Sequence, residues 1–127
     1  MKSNLKNKKF LAKTTESMRL VYYDLVVKIL RKKKQVIPCY AGISNIHLNY
    51  DGNIWPCCVL GYAHSMGNIR DYDFDYDAVY NSQKAKEVRK YIKEGNCYCP
   101  LANQSYSNMI ISLPYLMKAF KNYLKYR

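Results

Sequence analysis

The 127-residue chain has no run of about 18 uninterrupted apolar residues, so no segment is predicted to span a bilayer. Its opening stretch, MKSNLKNKKF, lacks the apolar core of a signal peptide. The chain is therefore expected in the cytoplasm, where thiols stay reduced. No Gly-rich phosphate loop is present, and no Ser/His/Asp or Cys/His nucleophile arrangement stands out. C-x-x-C is also missing, which argues against a thioredoxin-like role. Acidic residues are absent from 97–127.

What is present is a strong positive charge, unevenly placed. The formal net charge of +12 is carried by the ends: residues 1–38 hold +9, residues 39–96 hold −1 and residues 97–127 hold +4. A basic end serves nucleic acid, an anionic membrane, an acidic partner or simply a solvated helix face. No base-reading or stacking motif accompanies the charge, so the solvated face is favoured and nucleic acid is not expected. Hydrophobic residues make up 49% of the chain, but 14 residues are Tyr, which keeps a polar tip. The core should be modest, and a metal cross-link would help it.

Local patterns predict a small α+β fold. Residues 10–34 read as a helix, with Met18, Tyr22, Leu25 and Ile29 as one apolar stripe widened by Val21, Val26 and Leu30. Arg31 to Lys34 suits a helix C-terminus, and Pro38 marks the stop. Residues 44–58 read as a two-stranded hairpin turning at Asp51-Gly52, with Pro56 at an edge or strand end. Ile46 and Leu48 alternate with His47, which places His47 on the solvent face. Gly67-Asn68 is a turn signal. The alternation DYDFDYD, Asp71 to Asp77, predicts an extended stretch with rings inward and carboxylates outward; it lacks the Gly and distal Glu of a calcium loop. Residues 78–94 read as one helix burying Val79, Ala85, Val88 and Ile92, stopped by Gly95-Asn96. The tail from Pro114 reads as a helix with Leu113, Leu116, Met117, Phe120 and Leu124 on one face.

Five cysteines in a reducing compartment point to metal or redox chemistry before disulfides. Cys39 precedes the hairpin, Cys57 and Cys58 end it, and Cys97 and Cys99 follow the second helix. Each group sits at an element boundary beside Gly, Pro or Asn, where turn backbone aims sulfurs at one point. A cubane cluster needs four thiolates around a compact body, and this layout supplies them from three distant stretches. Five unrelated buried thiols are the plainer alternative. Zinc is the sharper one, since Cys₄ is also a zinc set, although zinc modules usually show C-x₂-C and this chain shows C-C and C-x-C.

At these residues the chain resembles the SPASM auxiliary-cluster domain of radical SAM enzymes. The resemblance is carried by CYAG (Cys39 to Gly42), IHLNYDGNIWPC (Ile46 to Cys57), GNI (Gly67 to Ile69), YNSQKAKEVRKYI (Tyr80 to Ile92) and CYC (Cys97 to Cys99). It spans residues 37–105, between a basic amphipathic helical segment at 1–36 and a C-terminal helix at 106–127. It implies one 4Fe–4S cluster held by Cys39, Cys57, Cys97 and Cys99, with Cys58 as the alternate ligand. It also implies an accessory or electron-relay role beside a radical SAM barrel protein, or toward a peptide or small-molecule substrate.

Two features depart from the family pattern. No cysteine follows Cys99, so only one cluster can be held. The radical-generating C-x₃-C-x₂-C is absent from the 127 residues, so the chain is not expected to cleave S-adenosylmethionine alone. It then reads as part of a split or truncated enzyme, or as a cluster carrier. Helix 10–34 would resemble the last helix of a missing barrel, its apolar stripe needing a partner. A Cys₄ zinc module and a basic nucleic-acid binder are the alternatives. His64, in a loop near Cys57, and Trp55, beside Pro56, are further candidates for ligating and for shielding the site.

Overall fold

The computed structural model describes residues 10–125. The first nine residues of the basic N-terminal segment, and Tyr126 and Arg127, lie outside them. Helix α1 runs over Phe10–Lys32 and ends where Lys33 turns left-handed at φ 48°. Strands β1 (His47–Leu48), β2 (Asn53–Trp55) and β3 (Gly67–Asn68) form one antiparallel sheet in the order β1-β2-β3. A 3₁₀ turn over Ile69–Tyr72 leads to α2 (Tyr76–Asn81), α3 (Gln83–Lys93), α4 (Ala102–Ile111) and α5 (Leu113–Lys125). The fold is α+β, and among the described residues no helix is long and apolar enough to cross a membrane.

The hairpin forms at the expected turn. Gly52 adopts φ 91°, a region open to glycine at little cost, and its N–H donates to Asn49 O at 2.9 Å. Asp51 braces the turn by accepting from the Asn53 N–H, Asn53 Nδ2 and Asn49 Nδ2. Pro56 lies one residue past the end of β2, where no ladder bond is lost. Leu48 pairs with Ile54 and His47 with Trp55; against the expected alternation, His47 is half-buried and Leu48 is 62% exposed. Gly67-Asn68, expected as a turn only, is a third strand, because Gly67 and Asn68 register against Ile54 and Asn53.

The DYDFDYD stretch is not extended. Asn68 Oδ1 accepts from the Arg70 N–H and opens the 3₁₀ turn; Asp73 and Phe74 then turn left-handed; Asp75 accepts from the Ala78 N–H and caps α2. Local side-chain caps outcompete the alternating pattern. Phe74 is 70% exposed, against the inward ring expected. The helix expected at 78–94 is two helices. Ser82 closes α2 with its N–H on Val79 O and opens α3 by accepting from the Ala85 N–H.

Two cores result. Ala41, Ile54, Cys57, Met66, Val79, Ala85, Val88 and Ile92 join the sheet to α2 and α3, and include all four residues expected inside that helix. Val21, Leu25, Ile29, Ile37, Met109 and Ala119 join α1 to α4 and α5. Each fully buried aliphatic contributes about 1.5–3 kcal/mol. The stripe of α1 is therefore covered within the chain by the C-terminal helices, and not left for an absent barrel. It is also rotated: Lys13, Ser17, Val21, Leu25 and Ile29 are buried, whereas Met18, Tyr22 and Val26 are half-buried and Leu30 is exposed. The Lys13 ammonium sits 4.5 Å from the Tyr123 ring centre, which satisfies a cation on the inner face.

Helix α4 was not expected. Its inward residues are Gln104, Ser105, Asn108 and Met109, so polar side chains hide its period. Helix α5 packs inward through Ala119. The apolar residues read as its common face, Leu113, Leu116, Met117, Phe120 and Leu124, are all exposed, and three of them line a groove with Phe10 and Met18.

Candidate metal centre

The cysteines lie at the seam between the two cores. Cys39 follows the chain as it leaves the α1 core at Ile37, Cys57 follows β2, and Cys97 and Cys99 follow the Gly95 stop of α3. Gly95 ends that helix at φ 79°, with its N–H on Ile92 O. Tyr22 of α1 then donates to Pro100 O at 2.8 Å, which ties the Cys97–Cys99 turn to the first helix.

Cys39, Cys97 and Cys99 line one small cavity of about 20 Å³ with Gln35, Gln104, Ser105 and Asn108. Cys57 is 3% exposed and stands within electrostatic reach of Cys39, Cys97 and Cys99. Thus three thiols from two stretches line the cavity, and a fourth, Cys57, is buried within electrostatic reach of them. Cys58 is exposed. The peptide geometry of an adjacent pair sends the two side chains in different directions, and here Cys57 takes the inward one. All five cysteines are free thiols.

Backbone N–H groups converge on the sulfurs. Ala41 donates to Cys39, Leu60 and Val59 to Cys57, and Leu101 to Cys99. Such donors stabilise a thiolate, whereas burial opposes it. For Cys39 and Cys57 burial dominates, and both thiols are pushed up. Cys97 donates its proton to Cys99. That bond raises Cys97 well above the ordinary thiol range and brings Cys99 down to about 6.

These residues fit an iron–sulfur cluster. The donor set is all thiol, which is the ligand chemistry of such clusters. Gln35 lines the cavity, and its buried Nε2 finds no acceptor among the described residues. A sulfur-rich anionic body is the kind of acceptor that would satisfy it. Among the described residues no three His, Cys, Asp or Glu side chains form a group suited to a metal ion. A Cys₄ zinc site needs its sulfurs gathered about one ion, whereas a cubane holds them around a larger body.

Residues 39–100 match the family model of SPASM, an iron–sulfur cluster-binding domain. Over these residues, just under half of the chain, the sequence is similar to that family. Comparison with curated proteins and with solved structures returns no match. The SPASM segment begins at Cys39 and ends just beyond Cys99, so it contains every cysteine of the chain. Its core is that of the sheet with α2 and α3, while α1, α4 and α5 lie outside it.

Two sequence candidates do not line the cysteine cavity. His64 stacks on Tyr91 at 4.3 Å between ring centres. Trp55 lies over Gly61, where a Cβ would come within 2.3 Å of the indole, and packs on Tyr62 at 4.6 Å. Trp55 thereby braces the turn that follows Cys57. Sequence reasoning missed Gln35, Gln104 and Asn108. The only signal for Gln104 and Asn108 is the short polar run Asn103 to Asn108, which by itself reads as a loop, and Gln35 has none.

Proposed function

We propose that the SPASM-like segment holds one 4Fe–4S cluster through Cys39, Cys57, Cys97 and Cys99, and that the chain acts in the cytoplasm as an accessory electron-relay unit of a radical SAM enzyme. The reading is supported by Cys39, Cys97 and Cys99 lining one cavity, with buried Cys57 within electrostatic reach of them and Cys58 exposed. A bound cluster supplies one-electron transfer at a potential set by its surroundings. The chain's own residues would supply four thiolates, backbone N–H donors to three of them, and a cavity lined in part by carboxamides. Cys97 and Cys99 would have to give up the proton of the bond between them to serve as ligands. The C-x₃-C-x₂-C motif is absent from these 127 residues, so in this reading they serve the radical SAM chemistry without cleaving S-adenosylmethionine themselves.

Anaerobic reconstitution with iron and sulfide tests this. The expected product is brown and holds about four irons per chain. Serine at Cys39, Cys57, Cys97 or Cys99 lowers iron content and visible absorption; Cys58→Ser leaves both unchanged. A colourless protein with one tightly held zinc overturns the cluster.

A further inference from the structure

The cysteine cavity is not built by the SPASM segment alone. Asn108 and Gln35 both line it, and both lie outside residues 39–100. Asn108 is buried on the inner face of α4. Its Oδ1 accepts from the Tyr40 backbone N–H at 3.0 Å and from Gln104 Nε2 at 2.8 Å. A backbone N–H only donates, so the atom facing Tyr40 is the oxygen. The Asn108 amide nitrogen is thereby left for the neighbouring Cys39 sulfur, to which this side chain is hydrogen-bonded. Gln104 is held in turn: its Oε1 accepts from Asn45 Nδ2 at 3.1 Å, and its Nε2 also reaches Ser44 Oγ at 3.2 Å. The orientation of Asn108 is thus set by a network spanning α4 and the Cys39 loop. Gln35 approaches from the end of α1, its Oε1 beside Gly95 and its buried Nε2 without an acceptor among the described residues.

We propose that the carboxamides of Asn108 and Gln35 are positioning residues that donate N–H hydrogen bonds to sulfur at the cluster and raise its reduction potential. Asn108 acts at Cys39 and Gln35 at a sulfur within the cavity. An N–H donor favours the more electron-rich, reduced cluster over the oxidised one, and donors to sulfur are among the levers that set such potentials. The flanking helices therefore complete the site, and do more than cover the domain. This inference rests on the cluster reading above.

The test is a redox titration of the reconstituted full-length chain, followed by EPR. Asn108→Leu and Gln35→Leu are each expected to shift the midpoint to lower potential at wild-type iron content. Asn108→Asp keeps the oxygen that Tyr40 and Gln104 need while losing the donor. It reads the same shift even if Asn108→Leu loosens α4. Loaded variants that titrate at the wild-type midpoint overturn this inference and leave the cluster standing. A wild-type chain that takes up no cluster overturns both.

Discussion

Asp51 shows how one side chain carries a measurable consequence. The Asn53 backbone N–H, then the Asn53 and Asn49 amides, hold its carboxyl below the ordinary 3.8. A depressed carboxylate contributes stability that is present above its unfolded pKa and lost as pH falls through its folded one. Asp51→Asn is therefore expected to lower Tm at neutral pH, with the two proteins converging in acid below pH 3.8, as thermal melts across pH would show. A difference that persisted unchanged into acid would contradict this origin. Gly61 is the other sensitive residue, because any side chain there meets the Trp55 indole. Gly61→Ala should lower Tm, since the clash is with a ring held by packing and not with a flexible tail. The Asp-Gly turn was readable in the sequence, since that dipeptide announces its φ. The Gly61–Trp55 contact was not, since the partners lie six positions apart with a turn between them.

At the level of elements, caps decide the boundaries. Ser82 both ends α2 and starts α3, so Ser82→Ala removes the acceptor for the Ala85 N–H. The expected loss is about 1 kcal/mol, checked by urea denaturation with an unchanged m-value. The periodicity of residues 78–94 was legible because Val79, Ala85, Val88 and Ile92 keep one apolar face across the break. The break itself was not, because a serine within a helical pattern is equally a tolerated surface residue. Helix α4 was illegible for the opposite reason. Its inner face bonds instead of excluding water, so hydrophobic period carries no signal there. The third strand was hidden because Gly67 and Asn68 are turn formers by propensity, and pairing with β2 overrides that preference.

For the molecule as a whole, the two cores meet at the cysteines. Leu25 is fully buried beneath α4 and α5, and Leu25→Ala should cost about 2–5 kcal/mol by denaturant titration. Because α4 carries Asn108, that variant should also lose cluster more readily, which iron release to a chelator would report. Loading should in turn stabilise the fold, since the thiols are brought together only in the native state. We expect reconstitution to raise Tm by at least about 5 °C and removal of iron to reverse it. Equal melting with and without iron would show that the thiol cavity is already at full stability.

By itself the sequence determined the α+β class, the hairpin, the inner face of α3 and the three stretches that supply thiols, since these rest on turn chemistry, short-range period and residue type. Only the tertiary structure decided that Cys57 faces inward while Cys58 faces out, that α1 is covered by the chain's own C-terminal helices, and that Asn108 and Gln35 reach the cysteines. Those outcomes depend on contacts between residues tens of positions apart. No local pattern encodes such contacts; they are settled when the two cores pack against one another.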